Sequence, residues 1–327
     1  MPRLLLFLAT QKGFRALQYL IKNNLREHIG FVVTFHEDAS TKNWGTLILE
    51  ECKNFQIPCF LWAEAKNSIS DLSVSFGVTG AVAISWRYLL PLELNNILKY
   101  PLIVFHDSLL PRYRGFAPTP TAIMAGEKEI GVTAFFAVDE VDAGDIIAQT
   151  KMQVSRKAHM KEIIDEQSEI YATMLEKIIF DMKAGKIEAV PQNEDDATYS
   201  IWRNAEDYQI DWTKNSEEIY NFVRALGSPY PNAFTYYNGQ KIDVLEVKVV
   251  PDKNFVIRDC GKIWSLKDNK PEIICGSGMV KILSAVNSEG EKISFKRLRC
   301  RLGADVCVYS SAHMKEPALT INGRGML

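Results

Sequence analysis

One histidine, one serine and one aspartate lie in two short segments that could form a reaction centre. His106 and Ser108 belong to FHDSLLPRYRG, residues 105–115, and Asp142 belongs to VDAGD, residues 141–145. A carboxylate beside an imidazole orients the ring and favours its charged form, as acid–base catalysis near neutral pH requires. The two segments therefore favour a catalytic histidine over one that only packs in the core.

Simpler interpretations stay open for the polar residues around this histidine. The Ser108 hydroxyl could bond to nearby backbone in a turn, and the Asp107 carboxylate could simply be solvated. From the residues alone, both of these interpretations are slightly favoured. Asp142 could also be a turn residue next to Gly144, and only its pairing with His106 strengthens a catalytic role.

Short apolar runs alternate with helical patterns through the first half of the chain. This alternation predicts an α/β fold with a doubly wound, mainly parallel sheet of the Rossmann-like kind. The predicted strands are residues 3–8, 30–34, 58–61, 80–84 and 102–106, and the predicted helices are residues 14–22, 44–55 and 69–76. Because open α/β sheets bind ligands at the carboxyl ends of parallel strands, His106 is expected to face the ligand crevice.

The pattern after residue 115 predicts a change of architecture. Strands over 131–138 and 146–154 flank Asp142, and an amphipathic helix over 160–182 covers the sheet. A later helix, from a Ser216 N-cap to about Gly227, precedes strands at 233–237, 243–250, 272–274, 278–286 and 293–297. We expect an N-terminal catalytic domain (1–190), a linker (191–204) and a small C-terminal β-barrel of OB-like form (205–327).

Composition limits the classes of function. The 327-residue chain has a formal charge of −2, so binding to long nucleic acid gains no support from its overall charge. The six cysteines show neither a CxxC pair nor metal-ligand spacing with histidine, and we expect free thiols, no metal and a cytoplasmic protein. The apolar N-terminus fits a first strand better than a signal peptide, and no apolar run reaches the roughly 20 residues of a membrane helix.

The two segments resemble those of the folate-dependent formyltransferases. FHDSLLPRYRG followed by GVTAFFAVDEVDAGDIIAQ is similar to the family pattern, in which His106 and Asp142 match two members of an Asn, His and Asp trio. ISWRYLLP, residues 84–91, resembles the loop that lines the family's folate pocket. Residues 210–242 resemble the start of the C-terminal domain in methionyl-tRNA and UDP-amino-arabinose formyltransferases, so the resemblance covers most of the chain.

The resemblance implies a formyl donor, N10-formyltetrahydrofolate, and roles for the residues around it. His106, Asp142 and Ser108 would be catalytic, with the His106 imidazolium polarising the formyl carbonyl and Asp142 holding the ring. The folate would contact Ser85, Trp86, Arg87, Tyr88, Leu89, Asp139, Glu140 and Val141. The acceptor would contact Lys12, Arg114 and Gly115, where a cation could neutralise a diphosphate.

The chain departs from the family pattern at one position. The family asparagine, two residues before the histidine, is Val104 here. An amide at that position is thought to donate a hydrogen bond to the oxyanion of the transition state, and losing one such donor typically costs about 100- to 1000-fold in rate. Either another donor serves, such as protonated His106, Ser108 or a backbone N–H, or the chain is slow or inactive.

The acceptor is predicted to be the amine of a nucleotide-linked amino sugar, formylated for a surface glycan precursor. Residues 36–43 (HEDASTKN) and 192–198 (QNEDDAT) are not basic, and cations concentrate only at 296–301, which reads as a solvated strand edge. Binding of tRNA is therefore not expected, although methionyl-tRNA formylation stays an alternative, as does an inactive folate- or nucleotide-binding protein. A dehydrogenase is disfavoured because ATQKGF lacks the GxGxxG turn, and a homodimer is the default assembly.

Overall fold

Apolar β-strands and the helices between them make up the N-terminal part of the molecule. The computed structural model describes residues 1–37 and 42–303. Its first nine strands are β1 (Leu4–Leu8), β2 (Ile29–Thr34), β3 (Cys59–Leu61), β4 (Gly80–Ile84), β5 (Ile103–His106), β6 (Arg114–Gly115), β7 (Glu129–Phe136), β8 (Ile146–Gln153) and β9 (Tyr199–Ser200). The helices are α1 (Thr10–Lys22), α2 (Trp44–Asn54), α3 (Trp62–Ala65), α4 (Ile69–Ser75), α5 (Pro118–Met124), α6 (Met160–Ala184) and α7 (Ser216–Arg224).

Seven of these strands form one mostly parallel sheet in the order β3-β2-β1-β4-β5-β7-β8. Strands β1 to β5 run parallel to their neighbours, while β7 is antiparallel to β5 and β8 is antiparallel to β7. The short strands β6 and β9 pair separately, in parallel. The predicted doubly wound α/β architecture is therefore confirmed, with an antiparallel hairpin at one edge.

Alternation along β1 explains how the sheet is covered on both faces. Leu4, Leu6 and Leu8 belong to a core cluster shared with α1 and α6, whereas Leu5 and Phe7 belong to a second cluster shared with α3 and α4. Successive side chains of a strand point to opposite faces, so a strand that is apolar at every position must be buried on both sides. All five residues of β1 are fully buried.

The C-terminal part contains an antiparallel sheet of five strands. They are β10 (Ala233–Tyr237), β11 (Gln240–Val250), β12 (Ile263–Lys267), β13 (Lys270–Ile274) and β14 (Met279–Val286), in the order β10-β11-β14-β13-β12. Helix α7 packs on this sheet through Ile219 and Val223, and Trp212 lies in the same apolar cluster. The predicted class of this domain, a small antiparallel β fold, is confirmed.

Three local details differ from the sequence predictions. Strand β12 is additional, and residues 293–297 do not form a strand. The N-cap of α7 is Asn215, whose side chain accepts from the Glu218 N–H at 2.9 Å, because Ser216 already lies in the first turn. Residues 38–41 of the HEDASTKN segment, Cys307 and the last part of the C-terminal domain, 304–327, lie outside the described residues.

Neither a membrane-spanning helix nor a cluster of metal-binding side chains occurs among the described residues. No helix in ranges 1–37 and 42–303 is both long and apolar enough to cross a membrane. Within the same ranges, no group of three or more His, Cys, Asp or Glu side chains could hold a metal ion. Cys52, Cys59, Cys260 and Cys275 are free thiols.

Candidate active site

The carboxyl ends of three neighbouring parallel strands bring distant parts of the sequence together. Strand β4 lies between β1 and β5 and is parallel to both. The loop after β1 leads to Lys12, the loop after β4 begins at Ser85, and β5 ends at His106. These residues therefore share the edge of the sheet where open α/β folds bind their ligands.

His106 is a buried side chain whose two ring nitrogens both face oxygen atoms. Its Nδ1 lies 3.5 Å from Asp142 Oδ2, and its Nε2 lies 2.8 Å from the Tyr113 carbonyl oxygen. A neutral imidazole has one N–H, so it can donate to only one of these acceptors. Only the doubly protonated ring has an N–H directed to each of these oxygen atoms.

Asp142 is fixed in position by hydrogen bonds to its side chain and its backbone. The Gly115 N–H donates to Asp142 Oδ2 at 2.8 Å. The Gln192 side-chain amide donates to the Asp142 carbonyl at 2.8 Å and to the Gly144 carbonyl at 2.7 Å. Asp142 has a φ of 54°, and a side chain at position 144 would lie 1.7 Å from the Phe136 carbonyl oxygen. The loop can therefore form only with glycine at position 144.

Arg114 is fully buried and is engaged inside the protein. Its guanidinium donates to Gln192 Oε1 at 3.1 and 2.9 Å, and to the two Glu194 carboxylate oxygens at 2.8 and 2.7 Å. Arg114 thereby orients the glutamine that holds the Asp142 loop. The acceptor contact expected for Arg114 stays a prediction, since its described side-chain hydrogen bonds are donated to Gln192 and Glu194. Its neighbour Gly115 has a φ of 100° and packs against the backbone of Ser200.

The Ser108 hydroxyl is bonded to the local backbone. It donates to the Arg112 carbonyl at 2.6 Å, and the Ser108 side chain is buried. The Thr133 hydroxyl donates to the Ser108 carbonyl at 2.6 Å and so fixes the same turn. This arrangement is the turn interpretation of Ser108, and a catalytic role for it stays a prediction.

A second charged pair lies beside His106, and the sequence analysis missed it. Lys12 Nζ is 2.5 Å from Asp107 Oδ2, with only 5% and 18% of the two side chains exposed, and the Tyr171 hydroxyl donates to Asp107 Oδ1. Burial disfavours the charged Asp107 carboxylate, but Lys12 and Tyr171 outweigh it and lower the pKa of Asp107. Burial, together with the Asp107 charge, raises the pKa of Tyr171 well above its usual range.

We expect Asp107→Asn to lower the free energy of unfolding at pH 7 by about 3–5 kcal/mol, because it leaves Lys12 buried without its counter-ion. The pKa of Asp107 is below its usual 3.8, so the pair stabilises the fold above that pH and loses its effect as pH falls through the lower, folded-state value. Urea unfolding between pH 7 and pH 3 would show a flatter acid dependence for the variant.

Asp181→Asn is the matched control, because it removes the same charge from the exposed Lys177–Asp181 pair. Its cost should stay below about 0.5 kcal/mol. Equal costs for the two variants would contradict the assignment of stability to the buried pair.

The loop after β4 closes an aromatic cluster next to this site. The Trp86 ring lies 5.1 Å from Phe7, 5.2 Å from Phe35 and 5.6 Å from Trp62, measured between ring centroids. Its indole Nε1–H is buried and has no hydrogen-bond partner among the described residues. A buried donor of this kind costs free energy unless a ligand or water satisfies it.

The other residues predicted for the folate lie around this cluster. The Tyr88 ring is 5.0 Å from the Phe35 ring, and the Arg87 guanidinium lies over Phe35 at 4.6 Å. Ser85 has a φ of 54°, which turns the chain sharply at the end of β4. Leu89 and Val141 are exposed, at 95% and 63%, and Asp139 and Glu140 are in the turn that precedes Asp142.

Val104 lies on β5 between Ala83 of β4 and Phe135 of β7. Because it precedes His106 by two residues, its side chain is on the same face of the strand as the histidine. It is only partly buried and packs at the border of an apolar cluster. The structure therefore places an apolar group where the family pattern has an amide.

Comparison with known families matches both parts of the chain. A family described as formyl transferase matches residues 10–177, and one described as formyl transferase, C-terminal domain, matches residues 203–300. The methionyl-tRNA formyltransferase of Bacillus pumilus is 36% identical over 211 residues, which cover 64% of this chain and 66% of the relative. The match thus spans just under two thirds of that relative's length.

Solved structures share the fold. The N-formyltransferase from Helicobacter canadensis, in complex with folinic acid and dTDP-3-aminofucose, superimposes with a TM-score of 0.65 and 18% identity, over 90% of this chain and 100% of that one. HypX from Aquifex aeolicus, in complex with tetrahydrofolic acid, gives a TM-score of 0.60 and 19% identity over 88% of this chain and 45% of that one. With two family models covering most of its residues, this chain belongs to the formyltransferase family.

Proposed function

We propose that this protein transfers a formyl group from N10-formyltetrahydrofolate to the amine of a nucleotide-linked amino sugar. The observation that carries the proposal is the buried His106, whose two ring nitrogens face Asp142 and a carbonyl at the ligand-binding edge of the sheet. A surface-glycan precursor as product, a cytoplasmic location and a homodimer belong to the same proposal.

The donor is proposed to bind between the loop after β4 and the turn before Asp142. A pterin is flat and carries both donors and acceptors, which suits a wall of aromatic side chains with one unpaired indole N–H at Trp86. The Helicobacter canadensis protein, which shares the fold, was crystallised with folinic acid, a related folate. This supports the choice of a folate as donor without identifying its contacts here.

In the proposed reaction, the acceptor nitrogen attacks the formyl carbon, and the bond from that carbon to folate N10 breaks. His106 gives one proton to N10 as that nitrogen leaves and takes one from the attacking amine, so protons balance within the site and the imidazolium is restored. The His106 imidazolium would polarise the formyl oxygen and supply the proton for N10, while Asp142 keeps the ring oriented and charged. Since His106 Nε2 contacts the Tyr113 carbonyl, this hydrogen bond must be shared or released when the donor binds.

The choice of acceptor rests on charge. A tRNA acceptor stem is held by cations that neutralise phosphates, and the formal charge of this chain is −2. Arg114 is buried and paired with Glu194, so it adds no cation to the outer surface. A nucleotide-linked sugar carries only two phosphates, so fewer cations are needed to bind it.

Methionyl-tRNA formylation is the second candidate, because a Bacillus pumilus relative at 36% identity carries that name. The two functions differ in their dependence on salt. A protein that contacts 6–10 phosphates of a duplex loses about 10³- to 10⁵-fold in affinity between 50 and 200 mM salt. A steep loss of methionyl-tRNA binding over this range would favour the second candidate.

Mass spectrometry of reaction mixtures tests the proposal directly. Purified protein would be incubated with N10-formyltetrahydrofolate and a panel of UDP- and dTDP-linked amino sugars, and in parallel with methionyl-tRNA. Addition of one formyl group to one sugar supports the proposal and names the acceptor. Formylation of methionyl-tRNA alone would replace the sugar by tRNA, and no product from either would leave a folate- or nucleotide-binding protein, as Val104 allows.

Gln192→Leu is expected to lower kcat about 10²-fold, because the loop that carries Asp142 loses two hydrogen bonds. Initial rates at saturating substrates would measure the effect. Glu194→Gln is the control: its side chain is 61% exposed and does not contact the loop directly, so kcat should change little. Equal losses in both variants would show that the linker acts through general stability instead of through Asp142.

A further inference from the structure

Two large aromatic side chains are exposed together at the outer end of the site. Phe116 and Trp202 are 60% and 63% exposed, and their rings meet edge to face with centroids 5.9 Å apart. Single exposed apolar side chains are ordinary, but two large aromatic side chains exposed side by side indicate a ligand-binding surface. Neither residue takes part in the reaction centre described above.

Backbone hydrogen bonds connect this pair directly to the reaction centre. The Phe116 N–H donates to the Ser200 carbonyl at 3.0 Å, while the preceding Gly115 N–H donates to the Asp142 carboxylate. The Ser200 hydroxyl donates at 3.3 Å to the Tyr113 carbonyl, the same oxygen that faces His106 Nε2. The pair therefore continues the surface of the site outward along β6 and β9.

The pair is also held in place before any ligand arrives. Phe116 is flanked by two residues with positive φ, Gly115 at 100° and Ala117 at 45°, and this conformation is uncommon for alanine. Next to Trp202, Arg203 donates to the Thr121 hydroxyl at 2.9 Å and attaches the segment to α5. A fixed, exposed aromatic surface binds a flat ligand with little loss of conformational entropy.

We propose that Phe116 and Trp202 form a stacking surface for the base of the acceptor nucleotide. This inference rests on the proposed function, which places the acceptor amine at His106. Of the remaining parts of such an acceptor, the sugar and the diphosphate are polar, and only the base is a flat aromatic ring. Stacking on aromatic side chains suits any base, since every base has a π-face, and an edge-to-face pair offers one open ring face to it.

Calorimetric titration of the full chain with dTDP and UDP tests the inference without relying on turnover. Trp202→Ala should weaken binding of the better diphosphate about 10- to 100-fold, the usual worth of one stacked base, whereas Trp202→Phe should retain most of the affinity. Ile201→Ala is the matched control, because Ile201 is 68% exposed and adjacent in sequence. In turnover assays, Trp202→Ala should raise the KM for the nucleotide sugar and leave kcat and the KM for the folate unchanged.

The outcomes separate this inference from the proposed function. If the protein formylates a nucleotide sugar but Trp202→Ala changes neither KM nor diphosphate affinity, the stacking surface is wrong and the function stands. If no nucleotide sugar is formylated and neither diphosphate binds, both are wrong. If Trp202→Ala impairs only methionyl-tRNA formylation, the surface binds a terminal nucleotide of tRNA, and the assignment to a nucleotide sugar is overturned.

Discussion

Replacing His106 with asparagine should lower kcat by about 10²- to 10⁴-fold, the range that positioned acid–base groups contribute. Asparagine keeps a donor near the Tyr113 carbonyl, but it cannot carry the positive charge proposed for the ring beside Asp142. It also cannot release a proton to the leaving nitrogen. Since the surfaces proposed for the folate and the acceptor lie on other residues, both KM values should change much less than kcat. Single-turnover formyl transfer, followed by mass spectrometry, would measure the chemical step.

His28→Asn is a suitable control for this variant. His28 is also buried, and its Nδ1 lies 2.9 Å from the Pro2 carbonyl, but it immediately precedes β2, at the amino ends of the parallel strands, whereas His106 lies at a carboxyl end. It should affect stability without the large loss in kcat.

The double variant of His106→Asn with Asp142→Asn should be hardly slower than His106→Asn alone, because Asp142 acts through the ring. Additive losses would assign Asp142 an independent role.

Sequence periodicity is sufficient to predict the α/β domain because its strands are buried on both faces. β1 is apolar at every position, with Arg3 before it and Thr10 shortly after it, so its type and approximate limits can be predicted. The strands of the C-terminal sheet are harder to predict from the sequence. β12 (IWSLK) is only partly buried, so its pattern is weak, whereas the alternating segment 293–297 buries Phe295 against Tyr237 without joining a strand ladder.

The residues of the site can be predicted from the sequence only where they are close together in the chain or match a family pattern. His106 and Asp142 belong to such a pattern, and the structure brings them within 3.5 Å of each other. The Lys12–Asp107–Tyr171 cluster joins three separate elements, and no local pattern indicates that they meet. Burial of Arg114 is also hard to predict: a polar residue in a predicted loop is usually exposed, but Gln192 and Glu194 supply enough acceptors to bury this one.

Restoring the family amide by Val104→Asn should raise kcat about 10²-fold, the lower value for one oxyanion donor. The side chain at this position is on the same face of β5 as His106 and is close in size to asparagine, so the pairing with β4 and β7 should persist. In the free protein the new amide would lie beside an apolar cluster, and leaving it unpaired should lower the free energy of unfolding by about 1–3 kcal/mol. Greater activity would thus accompany lower stability.

Val104→Leu separates the amide from the change in volume, because it keeps the position apolar and should not raise kcat. Rates at saturating folate and acceptor, with urea unfolding of each variant, would measure both effects. An unchanged kcat in a folded Val104→Asn variant would show that another donor already stabilises the oxyanion, and the charged His106 ring would then be the group to test. Turnover that appears only in the Val104→Asn variant would instead show that the natural chain binds its ligands but does not catalyse the reaction. Every other part of the site would then be able to support catalysis.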